Sequence, residues 1–160
     1  MSRFSKILDM ILLGLFYFAM FLVFVMVVII CSEVVSRYFF NRPSIWVVDI
    51  TGYILLYITF LGAAWLAREK GHVTIEVLTS RLSSETQRLL TIVTNTIGAI
   101  FCFFFAIWTG LEFWKKLIAG TLVIELFEVP EWTILIIIPI GSLLLGITLA
   151  SHAIIAQRNK

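Results

Sequence analysis

Four long apolar runs, separated by short polar stretches, constrain this chain more than any other feature. Each run is long enough to cross the ~30 Å hydrocarbon layer of a bilayer as a helix, which takes roughly 20 residues. A chain that is 61% hydrophobic and only 14% charged is too apolar for an ordinary water-soluble domain. The sequence therefore predicts an all-α membrane protein, one membrane domain over residues 1–160 with transmembrane helices at about 7–35, 47–67, 89–114 and 132–155.

Two prolines indicate where these helices begin and bend. Pro43 disfavours a helical conformation at the residue before it, and Ser44 is a favoured N-cap, so the second helix is expected to start just after them. Pro139 lies inside the fourth run and has no N–H to offer the carbonyl of Leu135, which predicts a kink there. The first run is too long for the apolar region of a signal peptide and is predicted to be a retained helix.

Basic residues are distributed unevenly between the two sides of the membrane. With four crossings, both termini share a side with the loop between the second and third helices. This side holds 8 of the 12 Lys and Arg residues: Arg3, Lys6, Arg68, Lys70, Arg81, Arg88, Arg158 and Lys160. The positive-inside rule therefore predicts that both termini are cytoplasmic. The net charge of +2 is too small to indicate a nucleic-acid partner.

The middle of each predicted span lacks the residues that transport or catalysis requires. The midpoints fall near Met20, Tyr57, Ile100 and Leu143, and no Asp, Glu, Lys, Arg or His lies close to any of them. Ionisable residues at this depth usually mark ion or substrate pathways. The sequence also has no Ser-His-acid set, Cys-x-x-Cys pair or glycine-rich phosphate loop. We therefore predict no catalytic residue, no cofactor and no metal site.

The two histidines leave one redox alternative open. His72 and His152 are residues of the type that ligates a b-type haem between two helices. Both are predicted at the cytoplasmic edge of the membrane, whereas haem sites in helix bundles lie deeper. A haem-binding electron-transfer subunit is therefore kept as a third hypothesis, which a visible absorption spectrum would decide.

Small residues recur at every fourth position on three of the helices. Such rows let membrane helices approach each other closely, so we predict that they are helix-packing sites. The rows are Thr59, Ala63 and Ala67; Thr94, Gly98, Cys102, Ala106 and Gly110; and Ser142, Gly146 and Ala150. Contacts within the chain would use about two of these rows. The remaining surface, with the apolar stretch 101–105, is left for lipid or a larger membrane partner.

The loop after the second helix carries the densest polar pattern. Gly71 is typical of a helix C-cap, and Ile75, Leu78 and Leu82 then recur at helical spacing among polar residues. We predict a short amphipathic elbow at the membrane surface between helices two and three. A plain connection between two spans is the alternative, and the pattern alone favours it.

Two stretches, one at the start of the second helix and one that runs from its second half into the following loop, resemble a known family. They are Thr59-Phe60-Leu61-Gly62-Ala63-Ala64-Trp65, followed by Arg68 and Gly71-His72-Val73-x-Ile75-Glu76-x-Leu78, and the upstream Pro43-Ser44-x-Trp46-x-x-Asp49. They resemble the small membrane (DctQ-type) subunit of tripartite ATP-independent periplasmic (TRAP) transporters. One departure is Val48 before Asp49, where many members of that family carry two acids in succession.

The resemblance implies a non-catalytic subunit of the bacterial inner membrane. It would brace a large multi-spanning permease subunit and help to dock a periplasmic substrate-binding protein, with membrane lipid as the other partner. Uptake of an organic acid, a C4-dicarboxylate or a sialic acid, would be driven by a sodium gradient. By the same resemblance, interface residues would lie at the outer end of helix two and at the inner elbow: Trp46, Asp49, Arg68, His72 and Glu76.

Two pairings are expected for these polar residues. We expect Asp49 to pair with a nearby basic group, and Arg68 to pair with Glu76 or a lipid phosphate.

The alternative function is a self-sufficient small channel or exporter that acts as a homo-oligomer. It predicts transport by the purified chain alone, whereas a bracing subunit transports nothing without its large partner.

Overall fold

A computed structural model describes residues 3–41, 44, 46–70, 84–120, 122–124 and 128–158 of the chain. Its elements, in chain order, are α1 (Arg3–Phe40), α2 (Trp46–Lys70), α3 (Ser84–Ala119), β1 (Leu122–Ile124), β2 (Glu128–Pro130), α4 (Glu131–Leu135) and α5 (Ile137–Arg158). The amphipathic elbow predicted between the second and third helices lies outside the described residues.

Four helical segments in the described part of the chain are long and apolar enough to cross a membrane. They are Ile7–Phe40, Trp46–Glu69, Glu85–Ala119 and Glu131–Gln157. The predicted architecture of four membrane-spanning helices is therefore confirmed. The helices α1 and α3 extend past the predicted apolar runs at both ends, because a helix can continue through polar residues outside the hydrocarbon layer.

The helices pack in the order α1, α2, α5, α3, so α5 lies between α2 and α3 while α1 lies against α2. Two apolar clusters join α1, α2 and α5. Their buried members are Leu8, Leu12 and Ala64 in one cluster and Ala19, Leu61 and Ile137 in the other. This order places α1 at one edge of the bundle and α3 at the other.

Polar contacts define the two ends of the bundle. Arg68, near the end of α2, contacts Asp9 near the start of α1, and Arg88 near the start of α3 contacts the last turn of α5. We term this the termini end, because α1 begins and α5 ends here. At the opposite end Lys116 of α3 pairs with Glu131 of α4 at 2.9 Å. We term it the hairpin end.

A short antiparallel hairpin, which the sequence does not predict, connects α3 to α4. Val123 of β1 lies opposite Val129 of β2. Gly120 ends α3 with a φ of +60°, and its N–H bonds to the carbonyl of Lys116 at 3.1 Å, which is the left-handed C-cap that glycine favours. Strands of three residues are too short to give a recognisable alternating pattern, so the sequence carries little signal for them.

The fourth span is interrupted at Ile136, between α4 and α5. This break lies one turn before Pro139, whose missing N–H leaves the carbonyl of Leu135 without its helical donor. At the same level Tyr57 of α2 donates a hydrogen bond to the carbonyl of Thr133, at 2.5 Å. A cross-helix bond of this kind satisfies backbone groups where a membrane helix departs from regular geometry.

Candidate functional site

One arginine at the termini end joins three helices. The Nε of Arg68 lies 2.7 Å from Oδ1 of Asp9 on α1, and Nη1 donates to Oγ of Ser151 on α5 at 3.2 Å. The Arg68 side chain is only 16% exposed, so its charge depends on these partners more than a surface charge would. We term these three residues the Arg68 cluster. The pairing with Asp9 was not predicted, and Glu76, the expected partner, lies outside the described residues.

A second arginine at the same end caps α5. Arg88 donates from Nε to the carbonyl of Ala156 at 2.8 Å and from Nη2 to the carbonyl of Gln157 at 2.7 Å. The last carbonyls of a helix have no donor within the helix, and they carry its negative dipole end, so a guanidinium there is favourable. In the sequence, Arg88 entered only the count of basic residues, and no local pattern links it to the end of α5.

A buried carboxylate fixes the turn between α1 and α2 at the hairpin end. Glu33 is 8% exposed, and its two oxygens accept the backbone N–H of Ser44 at 3.2 and 3.1 Å. Oε1 also pairs with Nη2 of Arg37, one turn further along α1, at 3.0 Å. Glu33 and Ser44 line a cleft of about 210 Å³, together with Ser32, Ser36, Trp46 and Val47. We term it the Glu33 cleft.

The predicted interface residues are divided between these two ends. Trp46 is half-buried at the start of α2 and lines the Glu33 cleft. Asp49, one turn into α2, is half-buried and makes no ion pair with any described residue, so its expected basic partner is not seen there. Arg68 lies at the termini end, while His72 and Glu76 lie outside the described residues.

The small residues of α3 and α5 face each other. A Cβ added to Gly146 would lie 3.2 Å from Cβ of Cys102, and one added to Gly98 would lie 3.1 Å from Cδ1 of Leu149. Gly110 faces Pro139 at 3.9 Å. Of the other residues in these two rows, Ala106 and Ser142 are buried, Ala150 is partly buried and Thr94 is exposed.

The closest helix approach involves a glycine that the spacing argument missed. A Cβ added to Gly141 would lie 2.6 Å from Cβ of Phe60 and 2.9 Å from its carbonyl oxygen. Only glycine permits α5 and α2 to approach at this position. Gly141 directly precedes Ser142 in the predicted row, so the repeat of four passed over it.

The outer surfaces of the bundle are apolar. In the most apolar window of α1 only 6% of the residues are buried within the chain, and the outer face of α3 exposes Phe101, Phe104 and Trp108. A groove of about 250 Å³ runs between α3 and α5, with Ile100, Phe103 and Ile154 among its lining residues. Apolar surface of this extent is stable in contact with lipid or with another membrane protein.

Comparison with known proteins identifies the family. The sequence model of the DctQ component of tripartite ATP-independent periplasmic transporters matches residues 26–159. The chain belongs to the DctQ family. The resemblance read from the sequence is thereby confirmed.

A relative in Haemophilus influenzae, named "Putative TRAP transporter small permease protein", is 31% identical over 78 residues. The alignment covers 49% of this chain and 48% of that relative, so the chain spans about half the length of the curated relative it matches.

Most of the polar contacts of this DctQ chain lie inside the family match. Glu33, Arg68, Arg88 and Ser151 fall within residues 26–159, whereas Asp9 precedes them. The match also contains the small-residue contacts between α3 and α5. The family pattern therefore covers the bundle from the second half of α1 onward, and the ion pair to Asp9 extends it to the start of α1.

Proposed function

We propose that this DctQ chain is the non-catalytic small permease subunit of a sodium-driven TRAP transporter. The transporter would take up an organic acid of the C4-dicarboxylate or sialic acid class. The chain would cross the bacterial inner membrane four times, brace a large multi-spanning permease subunit and help to dock a periplasmic binding protein. Membership of the DctQ family supports the assignment to such a transporter.

One observation carries the non-catalytic role. Long segments of all four spans contain no Asp, Glu, Lys, Arg or His. These segments lie between Asp9 and Glu33, Asp49 and Arg68, Arg88 and Glu112, and Glu131 and His152. Ionisable residues at membrane depth usually mark the path of an ion or an organic acid through a membrane protein. The groups that bind sodium and substrate are therefore assigned to the large subunit.

The charges at the bundle ends support a bracing role. The Arg68 cluster joins α1, α2 and α5, Arg88 joins α3 to α5, and Glu33 holds the start of α2 against α1. Between the two ends, small residues bring α5 into close contact with both α2 and α3. A bundle fixed at both ends and along its length is suited to stay rigid while a partner moves against it.

The distribution of charge supports an orientation. Arg68 and Arg88 both lie at the termini end, the side on which the sequence places most of its basic residues. The positive-inside rule favours that end in the cytoplasm. The hairpin end would then face the periplasm, where Arg37 and Lys115, which are exposed, are available to a binding protein. A phosphatase that is active only in the periplasm should be inactive when it is fused to the C-terminus. Activity of this fusion would contradict the orientation.

Purification and reconstitution test the proposal. The tagged chain, extracted from its native membrane in mild detergent, should recover a large multi-spanning protein. The complex in liposomes should move an organic acid only when both a sodium gradient and a binding protein are present. The chain alone should give no flux. Flux through the isolated chain, or recovery of a homo-oligomer without a large partner, would overturn the proposal in favour of a small channel.

A further inference from the structure

One face of α2 carries both large and small side chains and is open to the surroundings. Its positions follow spacings of four and three residues: Val48, Gly52, Leu55, Thr59, Gly62, Leu66 and Glu69. Val48, Leu55 and Leu66 are 70%, 54% and 51% exposed. The opposite side of the helix carries Leu61 and Ala64, which are buried in the contacts with α1 and α5. We term these seven positions the α2 face.

The glycines of the α2 face differ from those inside the bundle. A Cβ added to Gly52 or Gly62 would have no atom of a described residue within 4 Å. At Gly141 and Gly146, by contrast, an added Cβ would lie 2.6 and 3.2 Å from an atom of another helix. Glycine in a helix interior costs about 1 kcal/mol relative to alanine. Contacts among the described residues explain the inner glycines but not Gly52 and Gly62.

The spacing of the α2 face fits a second helix better than lipid. A repeat averaging 3.5 residues is the pattern by which two helices keep contact while crossing at about 20°. From Val48 to Leu66 the helix rises about 27 Å, nearly the full ~30 Å of the hydrocarbon layer. Gly52, Thr59 and Gly62 leave shallow positions that large side chains of a neighbouring helix would fill. Contact with fluid lipid acyl chains requires neither this repeat nor glycines on the helix surface.

Charges at the two ends of the α2 face indicate which helix it accepts. Asp49 lies beside its first position and Glu69 is its last, and neither makes an ion pair with a described residue. A second copy of α2 would bring acid against acid whether the two helices ran parallel or antiparallel. A partner helix with basic residues at both membrane interfaces would instead pair with both acids.

We propose that the α2 face binds one apolar transmembrane helix of the large permease subunit, a helix with basic residues at both of its ends. The proposal rests on the proposed function, because that function supplies the large subunit. It assigns the contact on which the assembly depends to α2, rather than to α1 or α3 at the edges of the bundle.

The first helix offers a matched control. Gly14 is exposed, and a Cβ added there would also meet nothing within 4 Å. Its neighbours on the same side of α1, Met10, Tyr17 and Phe21, are all large and exposed. An isolated glycine among large side chains forms no continuous groove. A bulky residue at Gly14 should therefore be tolerated in the assembled transporter.

The test is co-purification of the full chain with the large permease subunit from its native membrane. Gly52→Leu and Gly62→Leu should each lower recovery of the large subunit by about tenfold, the effect of forcing an extra side chain into a packed contact. Gly14→Leu should leave recovery at the wild-type level. The amount of chain in the membrane is measured for each variant, so that loss of folding is distinguished from loss of the partner.

Photo-crosslinking from Leu55 supplies a second readout that needs no glycine variant. A photoreactive amino acid at Leu55 should give an adduct of this chain with the large subunit. The assignment to α2 would be overturned if both glycine variants recovered the large subunit at the wild-type level, or if Gly14→Leu lowered that recovery. It would also be overturned if Leu55 gave no protein adduct, or an adduct between two copies of this chain. If the wild-type chain itself recovers no large subunit, the proposed function fails and this proposal fails with it.

Discussion

Arg68 and Asp9 form an ion pair of 2.7 Å between the end of α2 and the start of α1. The same guanidinium donates to Ser151, so one side chain connects the ends of three helices. Close to this pair, Leu8 and Leu12 of α1 are buried in an apolar cluster with Ala64 of α2. The Arg68 cluster therefore sets the position of α1 at one end of the bundle, as Glu33 does at the other.

Replacing Asp9 by Asn is expected to lower the free energy of unfolding by about 1–3 kcal/mol, because the largely buried Arg68 loses the negative charge of Asp9 while it stays buried. Thermal unfolding of the purified chain in detergent, followed by circular dichroism, measures the change. The double variant with Arg68→Ala should lose less than the sum of the two single losses. Strictly additive losses would contradict a direct interaction between the two residues.

The number of spans could be predicted because bilayer thickness sets it. A run of about 20 apolar residues has few alternatives to a membrane helix, so four runs gave four helices. The start of α2 was also foreseeable, since Pro43 and Ser44 are strong local signals. The hairpin between α3 and α4 was not foreseen, because strands of three residues depend on a cross-strand partner rather than on their own pattern.

Replacing Glu33 by Ala is expected to destabilise the turn into α2. The backbone N–H of Ser44 loses its acceptor, and Arg37 loses its partner. For a chain of this size we expect Tm to fall by about 2–4 °C. Hydrogen exchange should quicken in the first turn of α2.

The exposed pair Glu112–Lys115 gives the matched control for Glu33. Its side chains are 40% and 69% exposed, and exposed ion pairs contribute little to stability. The substitution Glu112→Ala should therefore leave Tm nearly unchanged. An equal effect of the two substitutions would show that burial of Glu33 has no consequence for stability.

Replacing Arg88 by Ala is expected to loosen the last turn of α5. The carbonyls of Ala156 and Gln157 lose two charge-assisted donors, which are stronger than neutral hydrogen bonds. Faster amide exchange in residues 153–157 measures the effect. Arg88→Lys keeps the charge but not the planar fork, so it should restore protection only in part. Full protection in the Ala variant would show that the capping bonds do not hold this turn.

The polar contacts were less predictable than the spans, because they depend on how the helices pack in the tertiary structure. Arg68 was singled out by the family resemblance, but its partner Asp9 lies on another helix, and nothing local to either residue indicates the pair. Glu33 was foreseeable as a charge near a helix end. That it is buried depends on the approach of Ser44. The four-residue repeat did not identify Gly141. Contacts between helices depend on the angle at which the two helices cross, and a fixed repeat of four only approximates the contact positions.

Two glycine-to-alanine substitutions should have opposite effects on the isolated chain. At Gly141 the new Cβ meets Phe60 of α2 at 2.6 Å, so the two helices must separate. We expect a loss of about 1–3 kcal/mol in the free energy of unfolding. At Gly62 the new Cβ meets nothing within 4 Å, and the better helix former should stabilise the chain by up to about 1 kcal/mol. Unfolding of both variants in the same detergent, with the wild-type chain as reference, measures the contrast. Stabilisation by Gly141→Ala would mean that α2 and α5 do not approach at Phe60, and destabilisation by Gly62→Ala would mean that the α2 face is already occupied within the chain.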